Sequence, residues 1–141
     1  MVKGGVILKK QIIISIGREF GSGGHVIAEA LAKRFDIPLY DHNLLEHIAE
    51  EKNFDHEQMR KYEEKPKLKF FTKKVKGHTN SFSEHLLRMQ FEYLQKKGDA
   101  GESFVVVGRC SEAMLSHNKN LITIFILGDI PCKNQRVKEV Y

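Results

Sequence analysis

The chain has 141 residues, with 23 lysines and arginines against 18 aspartates and glutamates and a formal net charge of +5; that is one domain's length, able to bury about 68–70% of its unfolded surface without covalent staples. Two widely separated cysteines, Cys110 and Cys132, argue against a disulfide framework or a paired-cysteine metal knuckle and predict a reducing, cytoplasmic setting. The opening MVKGGVILKKQ breaks its apolar run with lysines after three residues, which predicts neither a signal peptide nor a membrane span, and the modest surplus of positive charge fits anion binding and plain solubility equally.

Gln11 to Ile16 is β-branched and nearly continuous in isoleucine, the pattern of a strand buried on both faces. Gly17 to Gly24 carries four glycines in eight residues, and beyond it the period becomes helical, with Ile27, Leu31 and Phe35 on one stripe and Ala30 beside them. DIPLY, Asp36 to Tyr40, reads as a second strand, which Pro38 restricts to a sheet edge. DHNLLEHIAEE restores helical spacing through Leu44, Leu45, Ile48 and Ala49, with Asp41 or Asn43 as its N-cap.

Between Lys52 and Asn80 apolar residues thin out, and Arg60 to Lys76 holds eight lysines or arginines against two glutamates, which predicts a mobile, solvated stretch. SFSE, Ser81 to Glu84, has the spacing of a capping box; it opens a long helix with Phe82, Leu86, Met89 and Tyr93 on one stripe and Leu87, Phe91 and Leu94 on the next. FVVV, Phe104 to Val107, is a wholly apolar strand leading into Gly108 and Arg109, followed by a helical piece from Cys110 to Ser116. LITIFIL, Leu121 to Leu127, is another strand, and Asp129 with Pro131 opens a polar final helix. Strands alternating with helices imply an α/β fold with a four-stranded parallel sheet and helices on both faces. Ligands of such sheets gather at the carboxyl ends of the strands, where Gly17 to Gly24, Asp41, Gly108-Arg109 and Gly128-Asp129 converge.

Glycines at a strand-to-helix junction expose successive N–H groups at the positive end of the helix, a setting for an anion. A plain flexible turn is the bland alternative. The dinucleotide fingerprint G-x-G-x-x-G is a sharper one: Gly21-Ser22-Gly23 fits its start and Asp41 lies about twenty residues on, but Val26 takes the place of the third glycine. A phosphate loop fits better, although Gly24 and His25 stand where G-x-x-x-x-G-K-[ST] has its lysine and hydroxyl. Arg18 supplies a candidate charge for the absent lysine or lies in solvent. Arg109, just after a buried strand, is placed to fork around a phosphate or to cap a turn; Arg136, among the polar residues of the last helix, reads locally as a solvated side chain. His42 and His47 are five apart, off the spacing that puts two rings on one helical face, so no metal site is expected among the histidines. The basic stretch with Tyr62, Phe70 and Phe71 is a solvated flap or a nucleic-acid surface, and a nucleic-acid partner is not expected.

Three segments, IIISIGREFGSGGHVIAEALAKRFDIPLYD, FVVVGRCSEAML and ITIFILGDIPCKNQRVKEVY, taken together resemble the cytidylate kinase-like family, a branch of the phosphate-loop nucleoside monophosphate kinases in which the GREFGSGG loop without lysine is the norm. The resemblance implies the three-layer phosphate-loop NTPase fold and transfer of the γ-phosphoryl of ATP, with Mg2+, to CMP or a related monophosphate. It implies that Gly21, Ser22, Gly23, Gly24 and His25 surround the ATP phosphates, that Asp41 and Arg109 bind the acceptor, and that Arg18, Arg109 and Arg136 are catalytic, with no side chain assigned as a direct metal ligand. It also implies one domain over residues 1–141, with 52–80 as a mobile acceptor-binding insert and the rest of the lid and a fifth strand missing. On that basis LITIFIL becomes an exposed edge through which two copies associate. The alternatives are a nucleotide-binding module without turnover and, more remotely, a dinucleotide-binding oxidoreductase domain.

Overall fold

The structure, a computed structural model, describes residues 10–52, 81–108 and 110–140, with 52 and 81–86 described by backbone alone. Strands β1 (Ile13–Arg18), β2 (Leu39–Tyr40), β3 (Phe104–Val107) and β4 (Leu121–Ile126) alternate with helices α1 (Gly24–Phe35), α2 (Leu44–Lys52), α3 (Ser81–Asp99), α4 (Ser111–Met114) and α5 (Ile130–Val140). The strands form one parallel sheet in the order β2-β3-β1-β4. The α/β architecture is thus the one expected, and the proline-led strand β2 does lie at an edge. The chain divides into two compact units, Met1–Asp41 with Gln95–Tyr141, and His42–Leu94.

In the first unit the central strand is buried on both faces, as its isoleucine run requires. Ile14 and Ile16 pack with Val105 and Val107 against Ala28 and Ala32 of α1, with Ile124 and Ile126 of β4 partly covered at the margin. On the opposite face Ile13 lies beside Gly98 and Leu115, so the last turn of α3 and the end of α4 cover that side. Tyr40 of β2 meets Phe104 edge-on at 5.5 Å between ring centroids, a favoured aromatic arrangement. Gln11 ties the base of the sheet to α3, its amide donating to the Gly98 carbonyl at 2.6 Å.

The buried line of α1 is Gly24, Ala28 and Ala32, one residue round from the expected Ile27–Leu31–Phe35 stripe. Small residues at i, i+4 and i+8 let the helix approach the sheet closely, and Leu31 and Phe35 flank that line while Ile27 is exposed. β1 also runs two residues further than expected, because Gly17 and Arg18 pair with Phe125 and Ile126 of β4. Gly17 is suited to this register: a side chain there would begin 2.7 Å from the Phe125 ring, which lies across it. β2 is shorter than DIPLY suggests, since Asp36 ends α1 in the left-handed conformation (φ 54°). α4 likewise covers only part of Cys110 to Ser116.

In the second unit α2 buries Leu44, Leu45, Ile48 and Ala49, and the first part of α3 buries Gln90, Tyr93 and Leu94. The Tyr93 hydroxyl donates to Glu51 at 3.0 Å. Leu87, expected on the buried face of α3, is exposed, and Gln90, not expected there, is buried; Phe82 and Leu86 fall among the side chains outside the description. No helix among the described residues is long and apolar enough to cross a membrane.

Candidate phosphate-binding site

Because β1 continues through Arg18, the turn between β1 and α1 narrows from the eight residues read in the sequence to Glu19–Gly23. Glu19 N–H bonds the Ile126 carbonyl at 3.1 Å, and Ser22 N–H bonds back to the Glu19 carbonyl at 3.2 Å, which curls the chain into a loop. Gly21 (φ 76°) and Gly23 (φ 84°) take left-handed conformations at its turning points, where an L side chain costs roughly 1–2 kcal/mol. The first helical bond runs from Ile27 N–H to the Gly23 carbonyl at 3.1 Å, so the N–H groups of Gly24, His25 and Val26 precede it at the positive end of a twelve-residue helix. The Ser22 hydroxyl is buried in this loop and has no hydrogen-bond partner among the described residues, which is costly unless a ligand or solvent supplies one.

Two guanidinium side chains lie on the loop. Arg18 leaves the end of β1 with Cβ and Cδ each 2.7 Å from where a Cβ on Gly24 would be, and its Nη1 reaches within 3.5 Å of the equivalent point at Gly108, beyond the end of β3. Arg136 arrives from α5 and sets its guanidinium carbon 2.8 Å from where a Cβ on Gly23 would stand. A Cβ at Gly24 would displace the Arg18 stem, and one at Gly23 would displace the end of the Arg136 side chain.

Helix α5 holds Arg136 there by leaning on the loop without burying any residue of its own. The Lys133 carbonyl and the Val137 side chain lie 3.1 and 3.0 Å from the Cβ position of Gly21, and Lys133 also packs over Gly128. Lys133 Nζ donates to Glu19 Oε2 at 2.8 Å, and the Gly128 N–H approaches the same oxygen at 3.4 Å. These donors, the Lys133 ammonium first, hold the Glu19 carboxyl below its usual range. Asp129 caps α5 as expected, accepting from the Cys132 N–H at 2.8 Å. That bond lowers the Asp129 pKa, while the same carboxylate raises that of the Cys132 thiol.

At the other side of the loop, His25 Nδ1 lies 2.6 Å from Asp41 Oδ2 and its Nε2 lies 3.1 Å from Glu29 Oε1. Asn43, not Asp41, stands at the N-cap of α2, its carbonyl accepting the His47 N–H at 3.1 Å. Asp41 therefore belongs to the loop's surroundings. His25 replaces the hydroxyl that ligates magnesium in lysine-bearing loops, and both its nitrogens are engaged with carboxylates. Among the described residues no group of three histidines, cysteines or acidic side chains could hold a metal ion.

The sequence model of the cytidylate kinase-like family matches residues 13–141. The chain belongs to the cytidylate kinase-like family. A crystal structure of an uncharacterized protein from Eubacterium ventriosum ATCC 27560 is similar at 39% identity and a TM-score of 0.63, over 92% of this chain. The chain spans 61% of that protein's length. The unliganded crystal structure of a sugar kinase from Janibacter sp. HTCC2649 matches at a TM-score of 0.52 and 14% identity, over 93% of this chain and 68% of the other, and shows likeness of fold alone. No curated protein sequence matches the chain. Family membership and the sheet order give the chain a kinase-like fold, in a family whose members use nucleotides.

Of the residues read in the sequence as its site, Arg18, Gly21, Ser22, Gly23, Gly24, His25, Asp41 and Arg136 come together at the end of β1. Arg109 lies outside the described residues, as do positions 53–80 of the segment expected to bind the acceptor. Sequence reasoning missed the Glu19–Lys133 pair and Glu29. Lys133 precedes Arg136 by three residues, which places both on one helical face; nothing comparable marks Glu19.

Proposed function

We propose that this family member is a phosphotransferase that moves the γ-phosphoryl of ATP to CMP or a related nucleoside monophosphate. The observation that carries the reading is the loop itself: glycine-built, opening onto a helix N-terminus, with a buried hydroxyl that has no partner among the described residues, the Arg136 guanidinium over Gly23 and the Arg18 stem across Gly24. Such a transfer asks for alignment and for stabilisation of spread negative charge more than for covalent chemistry. Backbone N–H groups of Gly21 to His25 and the Ser22 hydroxyl hold the ATP phosphates; Arg18 and Arg136 neutralise charge on them. Asp41 orients the acceptor and Arg109 grips its phosphate. Magnesium enters with the nucleotide, without a direct ligand from position 25.

In the same reading residues 1–141 act as one domain, with 52–80 closing over the acceptor, in the cytoplasm. The apolar edge around β4, where Phe125 and Leu127 are exposed, brings two copies together. Sedimentation across a concentration series tests that last point, with a monomer throughout as the contrary result.

The function is tested by titration calorimetry with ATP, CMP, other monophosphates and NAD, with and without magnesium, alongside direct detection of CDP. Binding of ATP and CMP, CDP formation, and a loss of ATP affinity of about tenfold or more in Arg18→Ala and Arg136→Ala support it, as expected for removing a charge-assisted hydrogen bond. Binding without CDP formation assigns a nucleotide-binding module. Preference for NAD overturns the reading.

A further inference from the structure

His25 is built into two structures at once. Its backbone N–H belongs to the first turn of α1, at the mouth of the loop, while its ring reaches Asp41, which follows β2 on the neighbouring part of the rim. Its contacts with Asp41 and Glu29 are unequal. The Asp41 side chain is 12% exposed and lies at 2.6 Å, whereas Glu29 is 59% exposed and lies at 3.1 Å one helical turn along the same helix. A carboxylate only accepts, so Nδ1 is the donor in the shorter bond, and a charge-assisted bond to a nearly buried oxygen fixes a side chain far better than an exposed pair along one helix.

We propose that His25 is a positioning residue: in place of the metal-ligating hydroxyl of lysine-bearing loops, it clamps the Asp41 carboxylate to the start of α1, so that the phosphate loop sets the orientation of the acceptor-side acid. The role rests on the assignment of Asp41 to the acceptor given above. Loop and acid then move as one piece, because the residue whose N–H faces the donor phosphates carries the ring that holds the acid. The specificity consequence is that changes at His25 act on the acceptor and spare the phosphate donor.

Two isosteres separate the contacts. The amide nitrogen of asparagine falls near Nδ1 of histidine, and that of glutamine near Nε2, so His25→Asn can keep the bond to Asp41 and lose Glu29, while His25→Gln does the reverse. Titration calorimetry on the full chain would measure CMP and ATP affinity for wild type, both variants and His25→Ala, and imidazole NMR on wild type and Asp41→Asn without nucleotide would report the ring. The expected result is CMP affinity within about threefold of wild type in His25→Asn, a loss of about tenfold or more in His25→Gln and His25→Ala, and ATP affinity within about threefold in all, the size of one charge-assisted bond; the His25 Nδ1 resonance moves in Asp41→Asn. Equal CMP affinity in the asparagine and glutamine variants, or a ring resonance indifferent to Asp41→Asn, overturns the proposal while leaving the phosphotransferase reading in place. A wild-type chain that binds ATP and no monophosphate overturns the acceptor assignment itself, and this role with it.

Discussion

Ser15 of β1 and Ser111 at the start of α4 are both fully buried, and their hydroxyl oxygens lie 2.7 Å apart. The Ser111 hydroxyl also donates to the Gly108 carbonyl at 2.9 Å. Each hydroxyl has one proton, so with that of Ser111 given to Gly108, that of Ser15 must go to Ser111. The pair is therefore asymmetric. Ser15→Ala removes one bond and leaves Ser111 still donating, at about 1 kcal/mol. Ser111→Ala leaves the Ser15 O–H buried without an acceptor and takes the hydroxyl from the Gly108 carbonyl, which keeps only the Ser111 N–H at 3.3 Å; a lost bond plus an orphaned donor amounts to about 2–4 kcal/mol. In the double variant no hydroxyl is orphaned, so its loss should be about 1–2 kcal/mol, below that of Ser111→Ala alone. The expected coupling between the two sites is about 1–4 kcal/mol, measured from urea midpoints at constant m-value by far-ultraviolet circular dichroism. Losses that add across the two sites would refute the assignment of donor and acceptor.

Gly23→Ala and Gly101→Ala carry the same backbone strain, at φ 84° and 82°, but only Gly23 has a guanidinium over it, while nothing lies within 4 Å of a Cβ at Gly101. Thermal melts should therefore show similar losses of about 1–2 kcal/mol, and calorimetry should show weakened ATP binding in Gly23→Ala alone; equal ATP affinity in both would dissociate Arg136 from the phosphates. The Glu19 carboxyl is held below its ordinary 4.5 by Lys133, so its contribution to stability is present above the unfolded value and is lost as pH falls through the lower folded value. Wild type should thus exceed Glu19→Gln in urea midpoint near neutral pH and match it once pH drops below the folded value, whereas a gap unchanged by acid would rule out the ionised pair. Lys133→Met should remove the strut that sets Arg136 on the loop, so Arg136→Ala should cost less ATP affinity in that background than alone. Additive effects would mean that α5 docks without Lys133.

Much of this was legible because one physical signal dominated each stretch. The continuous isoleucine of Gln11 to Ile16 and the valines of Phe104 to Val107 could only be doubly buried strands, and alternation with helices then gave the parallel sheet. The glycine run marked the loop because few other reasons exist for four glycines at a strand's end. What was hidden depended on tertiary register. The continuation of β1 through Arg18 is decided by pairing with β4, and the buried line of α1 by how closely Ala28 and Ala32 can approach the sheet; a count of large apolar residues overlooks alanine and glycine, the residues that permit the closest packing. Gln90 was hidden for the opposite reason, as a polar side chain in a buried position. The Glu19–Lys133 pair joins residues 114 apart along the chain, a distance at which local spacing carries no information.

A lysine inside a phosphate loop brings its charge along whenever the loop forms. In the function proposed for this chain, the positive charge among the described residues comes from two other places. Arg18 belongs to β1 and is set by the same strand pairing that builds the sheet, so it is as permanent as the core beneath it. Arg136 belongs to a helix that buries no residue and touches the loop through Gly21, Gly23, Gly128 and the Glu19–Lys133 bond. Lys133 spends its own charge on Glu19 and serves as a strut, so it cannot also be the lysine that the loop lacks. In the proposed function the Arg136 share of the charge at the loop therefore depends on the docking of α5. On the proposed function, a bound polyphosphate favours that docking, because Arg136 gains it as a partner only when the helix is in place, and docking favours the polyphosphate by the same free energy. A loop without lysine trades a fixed cation for one whose arrival is coupled to the ligand, which is a means of assembling the full charge only when phosphate is present to use it.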